Sequence, residues 1–202
     1  MGVNRHQDYA YIGNAVPNNL HWLDVKKMRD AGFRIIRSAH YPQDPAFMDA
    51  CDELGMFIIV ATPGWQYWNP EPVFEERILS DIRNMVRRDR NHPSVLLWEP
   101  VLNETAFPES FAQNAYRATH EEYPAPGCYA AIDDKSKGAM GYDVVYTAPK
   151  NEAFYRNAGK SCFTREYGDC VDDWNSHNSY SRVAREWGEE PQIRQAQHYA
   201  RK

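Results

Sequence analysis

Short apolar runs rich in β-branched residues alternate along this chain with segments whose apolar residues recur at helical spacing. The apolar runs lie near residues 2, 34, 57, 95, 128, 144 and 163. The helical segments span 19–31, 44–55, roughly 73–90 and 109–122. Because short strands that alternate with amphipathic helices are typical of βα units around a parallel sheet, the pattern predicts an α/β fold.

The ends of the second helical segment carry recognisable signals. Asp44 or one of its neighbours is the predicted N-cap, since a polar side chain there accepts hydrogen bonds from backbone N–H groups of the first turn. Gly55 follows its last turn and is the predicted terminator, because glycine adopts the left-handed conformation that ends many helices. These signals place the second helix between two predicted strands.

The strand count predicts a (β/α)₈ TIM barrel that is incomplete at its C-terminal end. Seven strands are recognisable, whereas a closed barrel has eight strands and typically occupies about 250 residues. The chain has 202 residues. After the seventh strand it continues into a polar loop and one more helical segment, 182–202. We therefore expect either a fragment of a longer chain or a barrel with unusual closure.

Composition excludes several classes of partner. The formal net charge is -5 and the pI is near 5.8, so the chain lacks the basic surface that nucleic-acid binding requires. No apolar run approaches the length of a membrane span, and Met1-Gly2-Val3 does not begin a signal peptide. We expect a soluble protein with no nucleic-acid or membrane partner. Its localisation and oligomeric state stay open, and a periplasmic or secreted precursor is compatible with the sequence.

Cysteine spacing favours buried free thiols over a metal site. The chain has four cysteines, none of them in a CxxC pair and none with histidine at metal-ligand spacing. We therefore expect no bound metal. The four are Cys51, Cys128, Cys162 and Cys170.

Polar and aromatic residues directly follow the predicted strands. In a parallel barrel the catalytic groups lie at the C-terminal ends of the strands, so these residues are the candidate site. They are Asn4, Arg5, His6, Arg37, His40, Trp65, Trp68, Asn103, Glu104, Tyr146 and Glu166. The aromatic residues of the loop TPGWQYWNP are candidates for a sugar platform, or alternatively anchors of the loop itself.

Glu104 and Glu166 follow strands four and seven, on opposite sides of a barrel mouth. A retaining glycosidase needs such a pair, with one carboxylic acid to protonate the leaving group and one carboxylate to attack the anomeric carbon. Asn103 is a candidate donor to a sugar hydroxyl, and Tyr146 a candidate donor to the nucleophile. The structural alternatives are a helix-capping role for Glu104 and an ion pair with Arg165 for Glu166.

Four segments carry a resemblance to a known family. GVNRHQD, RIIRSAHYPQDPAFMDACDELGMFIIVA, RDRNHPSVLLWEPVLNE and FTREYGD resemble, in this order, the catalytic barrel of glycoside hydrolase family 2. This family contains β-galactosidases, β-glucuronidases and β-mannosidases. The resemblance implies that Glu104 is the general acid/base and Glu166 the nucleophile. It also implies substrate-binding or nucleophile-supporting roles for Arg37, His40, Asn103 and Tyr146.

The expected function is that of a retaining exo-β-glycosidase that hydrolyses terminal β-linked sugars without a cofactor. RSAHYP is most similar to the galactosidase type of the motif, and β-glucuronides or β-mannosides are the alternatives. Relatives carry β-sandwich modules before the barrel, so residues 1–202 are expected to be the catalytic domain of a longer multi-domain chain. A catalytically silent carbohydrate-binding fragment is the non-enzymatic alternative.

The chain departs from the family pattern in two places. Residues 99–102, with sequence EPVL, stand where the family commonly has glycine before the Asn-Glu pair, and we expect Glu99 to pair with Arg37 because a buried carboxylate needs a cation. The loop after strand three also differs, which leaves the sugar open. Some relatives bind magnesium near the acid/base, but this sequence shows no convincing extra carboxylate cluster there, so that metal site is not expected.

Overall fold

The computed structural model describes residues 1–148 and 151–166, together with positions 189, 190, 193 and 197. The chain divides into two compact units, Met1–Phe163 and Thr164–Lys202. All strands and helices given below belong to the first unit.

Seven parallel strands follow one another in chain order. They are β1 (Gly2–Arg5), β2 (Ile35–Ser38), β3 (Phe57–Ala61), β4 (Val95–Glu99), β5 (Ala131–Asp133), β6 (Val144–Tyr146) and β7 (Ser161–Phe163). The first four form one sheet and the last three another. Trp98 and Ala130 form a parallel bridge between the two sheets, and the Trp98 N–H donates to the Tyr129 carbonyl oxygen at 2.9 Å. This is the strand order of a TIM barrel, and the predicted fold class is confirmed.

Helices connect most of these strands. They are α1 (Asn18–Asp30), α2 (Pro45–Leu54), α3 (Pro72–Asp89), α4 (Glu109–Glu122) and the short α5 (Glu152–Asn157). Both predicted signals of α2 are confirmed, because Asp44 accepts from the Ala46 N–H at 2.8 Å and Gly55 adopts a φ of 66°. A one-turn 3₁₀-helix, Ala139–Gly141, precedes β6. Within the described residues, no helix is both long and apolar enough to cross a membrane.

Side chains along the strands point alternately into two apolar layers, one on each side of the sheet. Trp98 of β4 faces outward, in a buried cluster that includes residues of α1, α2 and α3. Leu97 faces the barrel interior, where it clusters with Ile59 and Tyr146. Because side chains alternate along a strand, Glu99 has the same direction as Leu97.

Two predictions fall largely outside the described residues. The described parts of the chain contain seven strands. Residues 167–188 are not described, so the structure does not test whether an eighth strand follows β7. Of the predicted helical segment 182–202, only four single positions are described.

The cysteines agree with the expectation of free thiols. Cys51 and Cys128 are buried and Cys162 is half-buried, all three unpaired as disulfides, while Cys170 lies outside the described residues. Burial raises the pKa of Cys51 to about 12 and that of Cys128 to about 11, which keeps both thiols protonated near neutral pH.

Candidate active site

A buried ion pair crosses the barrel interior between β2 and β4. Arg37 Nε donates to Glu99 Oε2 at 2.7 Å, and Arg37 Nη2 donates to Glu99 Oε1 at 2.5 Å. The two side chains are only 2% and 3% exposed, so both charges are compensated within the protein and not by solvent. The predicted pairing of Glu99 with Arg37 is confirmed.

The same guanidinium orients Asn103. Arg37 Nη2 lies 3.3 Å from Asn103 Oδ1 and also donates to Glu99. Because the arginine can only donate, the carboxamide oxygen of Asn103 is its acceptor, and this assigns the amide orientation. Arg37 Nη1 lies 3.4 Å from Asn4 Oδ1, which ties the end of β1 to the same group.

Two histidines and a tryptophan surround this polar centre. The His40 ring lies 5.7 Å from the His6 ring and 5.7 Å from the Trp65 ring, measured between centroids. Asn103 Nδ2 lies 3.5 Å from His40 Nε2. Trp65 is 49% exposed, so a flat apolar face with polar neighbours is open to a ligand. Such a surface suits a sugar ring.

Glu104 is exposed in the loop that follows β4. Its backbone has a φ of 49°, in the left-handed region, and its Oε2 accepts from Gln66 Nε2 at 2.7 Å. Helix α4 begins only at Glu109, and its N-cap residue, Pro108, makes no side-chain capping hydrogen bond. The helix-capping alternative for Glu104 is therefore not supported.

Tyr146 ends β6 inside the barrel. Its side chain is 3% exposed, and its ring centroid lies 5.8 Å from Arg37 Cζ. Within the first unit the structure thus brings Arg37, His40, Asn103 and Tyr146 to one end of the barrel, while their substrate-binding roles stay predictions.

Glu166 belongs to the second unit. There its Oε1 pairs with Arg165 Nη1 at 3.0 Å, which is the ion pair foreseen as the structural alternative. This contact by itself tests neither role, and the assignment of Glu166 as nucleophile stays a prediction.

Trp68 packs among other aromatic rings. Its centroid lies 4.8 Å from the Phe111 ring and 5.4 Å from the Phe74 ring, which places it against α3 and α4. This position agrees with the loop-anchor alternative, and a substrate contact by Trp68 stays a prediction. Tyr67, in contrast, is 61% exposed.

Arg5 takes a structural position. Its guanidinium binds Asp24 of α1 at 2.9 Å, hydrogen-bonds Gln43 and stacks 4.3 Å from the Phe47 ring centroid. Arg5 Nη2 also lies 3.2 Å from Nδ1 of the fully buried His21. Arg5 therefore links the end of β1 to the helix layer.

Gln66 is the contact of this site that sequence reasoning missed. It lies within the aromatic loop TPGWQYWNP, where the tryptophans are the more conspicuous candidates.

No group of three or more side chains suited to a metal ion occurs in the described part of the chain.

Comparison with known proteins gives a family match. The sequence profile described as "Glycosyl hydrolases family 2, TIM barrel domain" matches residues 1–125. A β-galactosidase of Thermoanaerobacterium thermosulfurigenes is 38% identical over 125 residues, which cover 61% of this chain and 17% of that protein. The chain thus spans about a sixth of the length of this relative.

Solved structures show the same fold. A β-glucuronidase from Bacteroides uniformis aligns over 98% of this chain and 28% of its own, with a TM-score of 0.72 and 20% identity. A family 2 β-galacturonidase from Eisenbergiella tayi, bound to galacturonate, aligns over 80% of this chain and 34% of its own. Its TM-score is 0.65 and its sequence identity is 27%.

Proposed function

We propose, since this chain belongs to glycosyl hydrolase family 2, that it carries the catalytic glutamates of a retaining exo-β-glycosidase. The observation that supports this proposal most is the environment of the Asn103-Glu104 pair. Glu104 is exposed in the loop beyond the C-terminal end of β4, and catalytic groups of TIM barrels lie at that end of the strands. Asn103 beside it is held by the buried pair of Arg37 and Glu99.

In the proposed reaction Glu104 first acts as an acid. It donates its proton to the glycosidic oxygen while the Glu166 carboxylate attacks the anomeric carbon, so the bond to the leaving group breaks and a glycosyl ester forms. Glu104, now ionised, then removes a proton from water. The water oxygen attacks the anomeric carbon, and the Glu166 carboxylate is released.

Asn103 is proposed to bind the sugar during both steps. Its oxygen faces Arg37, so its amino group is the end that can donate to a sugar hydroxyl. Hydrogen bonds to the 2-hydroxyl strengthen as the oxocarbenium-like transition state forms. A donor with a fixed orientation therefore contributes more to the transition state than to the bound substrate.

We favour an uncharged sugar, of the β-galactoside type. The carboxylate of a uronic acid needs a cation, and the guanidinium of Arg37 already binds Glu99 through two hydrogen bonds. β-Uronides are the second candidate, because the E. tayi enzyme with 27% identity is a galacturonidase. A panel of nitrophenyl β-galactoside, β-glucuronide, β-galacturonide and β-mannoside should give the highest kcat/KM for the galactoside. A higher kcat/KM for either uronide would change the assigned sugar to a uronic acid but would not change the proposed mechanism.

Azide rescue in the full-length protein tests the two roles separately. Azide needs no base, so in Glu104→Ala it should attack the glycosyl ester and give the β-glycosyl azide. In Glu166→Ala azide takes the place of the nucleophile and should give the α-glycosyl azide from an activated substrate. The assignment would be refuted if Glu104→Ala gave the α-glycosyl azide and Glu166→Ala the β-glycosyl azide, or if either variant kept full activity. Sugar binding by the unaltered protein with no turnover would support the silent alternative.

A further inference from the structure

The contact between Gln66 and Glu104 joins two loops at the same end of the barrel. Gln66 Nε2 donates to Glu104 Oε2 at 2.7 Å. Gln66 follows β3 and Glu104 follows β4, and 38 residues separate them in the chain. We propose that Gln66 is a positioning residue that aims the Glu104 carboxyl group at the glycosidic oxygen, an inference that rests on the proposed acid/base role of Glu104.

The backbone around Gln66 is held to the neighbouring strand ends. The Gln66 N–H donates to the Asn103 carbonyl oxygen at 3.0 Å, and Trp65 forms a parallel bridge with Asn103. On the other side, the Gly64 N–H donates to the His40 carbonyl oxygen at 3.1 Å. The amide of Gln66 therefore projects from a segment whose position is fixed relative to both Asn103 and His40.

Glu104 gains most from such a partner because its own surroundings constrain it little. The side chain is exposed, and its backbone lies in the left-handed region at a φ of 49°. An acid must meet the leaving oxygen within hydrogen-bonding distance, and a misplacement of about 1 Å can cost about 100-fold in rate. A hydrogen bond from an amide on this anchored segment narrows the orientations open to the carboxyl group.

Leaving-group dependence separates positioning of the acid from general damage. A methyl glycoside leaves poorly and needs the proton, whereas a 2,4-dinitrophenyl glycoside leaves with little help. In the full-length protein, with the sugar chosen by the panel, Gln66→Leu should lower kcat/KM for the methyl glycoside about 10- to 100-fold. For the dinitrophenyl glycoside it should stay within about threefold of the unaltered protein, because the acid is not needed there.

Controls distinguish this inference from the proposed function. Gln113→Leu removes another exposed contact between a glutamine and a glutamate, from Gln113 Nε2 to Glu109 Oε1 at 3.4 Å. It should leave kcat/KM unchanged for both substrates. Glu104→Ala should show the same selective loss in stronger form. A Glu104→Ala variant without selectivity would refute the acid role itself, whereas selectivity in Glu104→Ala but not in Gln66→Leu would refute only the positioning role.

A second variant covers the case in which Gln66→Leu does not fold. Gln66 has a φ of 58°, a region that asparagine tolerates well. Gln66→Asn keeps an amide but is one methylene shorter, so it should lose the contact and show the same selective loss. Equal losses for both substrates, or none, would overturn the inference.

Discussion

Arg37 and Glu99 meet inside the barrel through two hydrogen bonds, of 2.7 and 2.5 Å, from neighbouring nitrogens to the two oxygens of one carboxylate. Neither side chain is more than 3% exposed. Removing one partner takes away the carboxylate or guanidinium that compensates the other buried charge, and this is the costly change for such pairs. We expect Glu99→Ala to lower the free energy of unfolding by about 3 kcal/mol in urea titrations.

Two comparisons make that measurement specific. Asp30→Asn breaks the exposed pair of Lys26 and Asp30, with side chains 43% and 60% exposed, and should cost at most about 0.5 kcal/mol. The double variant Arg37→Met/Glu99→Leu removes both charges and should be more stable than Glu99→Ala. Equal stability of Glu99→Ala and Asp30→Asn would contradict the role of the pair.

Asn103→Ala should weaken binding of the transition state. We expect kcat/KM for the preferred β-glycoside to fall about 100-fold, since the bond to the 2-hydroxyl contributes several kcal/mol in such enzymes. For the matching 2-deoxy-glycoside the loss should be small, because the bond is already absent. Asn114→Ala, which removes a 2.8 Å contact from α4 to Glu75, is the matched control. An equal loss for both sugars in Asn103→Ala would count against the contact.

Trp65→Ala should raise KM about tenfold by removing the flat face beside His40. Trp65→Phe keeps an aromatic face and should recover part of the affinity. Tyr129→Ala is the matched control, because Tyr129 is 51% exposed and Trp65 is 49% exposed. The result that contradicts the platform is an unchanged KM in Trp65→Ala.

His21 should make stability depend on pH. Burial and, secondarily, the nearby Arg5 lower the pKa of His21 below its ordinary value of 6.5. The unfolded chain therefore binds a proton near pH 6.5 before the folded chain does. The stability that neutral His21 contributes is fully present above pH 6.5 and is lost as pH falls toward the lower folded pKa. The free energy of unfolding should change by up to about 1.4 kcal/mol per pH unit in this range.

Urea titrations between pH 8 and 5.5 test this pH dependence. His21→Gln should flatten the slope, because the group that gains the proton is gone. His6 is exposed, so His6→Gln should keep the slope of the unaltered protein. A His21→Gln variant with an unchanged slope would show that another group carries the dependence.

The strands and main helices were predictable because their signals are local. Each strand is a short apolar run, and α2 carries its own cap at Asp44 and its own terminator at Gly55. Helix α5 and the 3₁₀-helix were not predicted, because they have six and three residues and are too short for a periodic pattern. Helix α5 also contacts the rest of the fold, for example through the 3.3 Å hydrogen bond from Tyr155 Oη to the Asp134 carbonyl oxygen.

The site was predictable in part for a physical reason. The pairing of Glu99 with Arg37 follows from the sequence, since a carboxylate at the end of a buried strand requires a cation. The contact of Gln66 with Glu104 does not, because it depends on how two loops pair beyond the ends of β3 and β4. The sequence likewise grouped Trp65 with Trp68, and only the fold separates an exposed ring from one packed on α3 and α4.

The most direct test is to trap the glycosyl ester. A 2-deoxy-2-fluoro glycoside with a dinitrophenyl leaving group slows both steps, and the good leaving group lets the ester accumulate. Mass spectrometry of the digested full-length protein should then find the fluoro-sugar on Glu166, in the FTREYGD segment. A label on Glu104, or steady turnover of the parent glycoside with no label on either glutamate, would contradict the proposed double displacement.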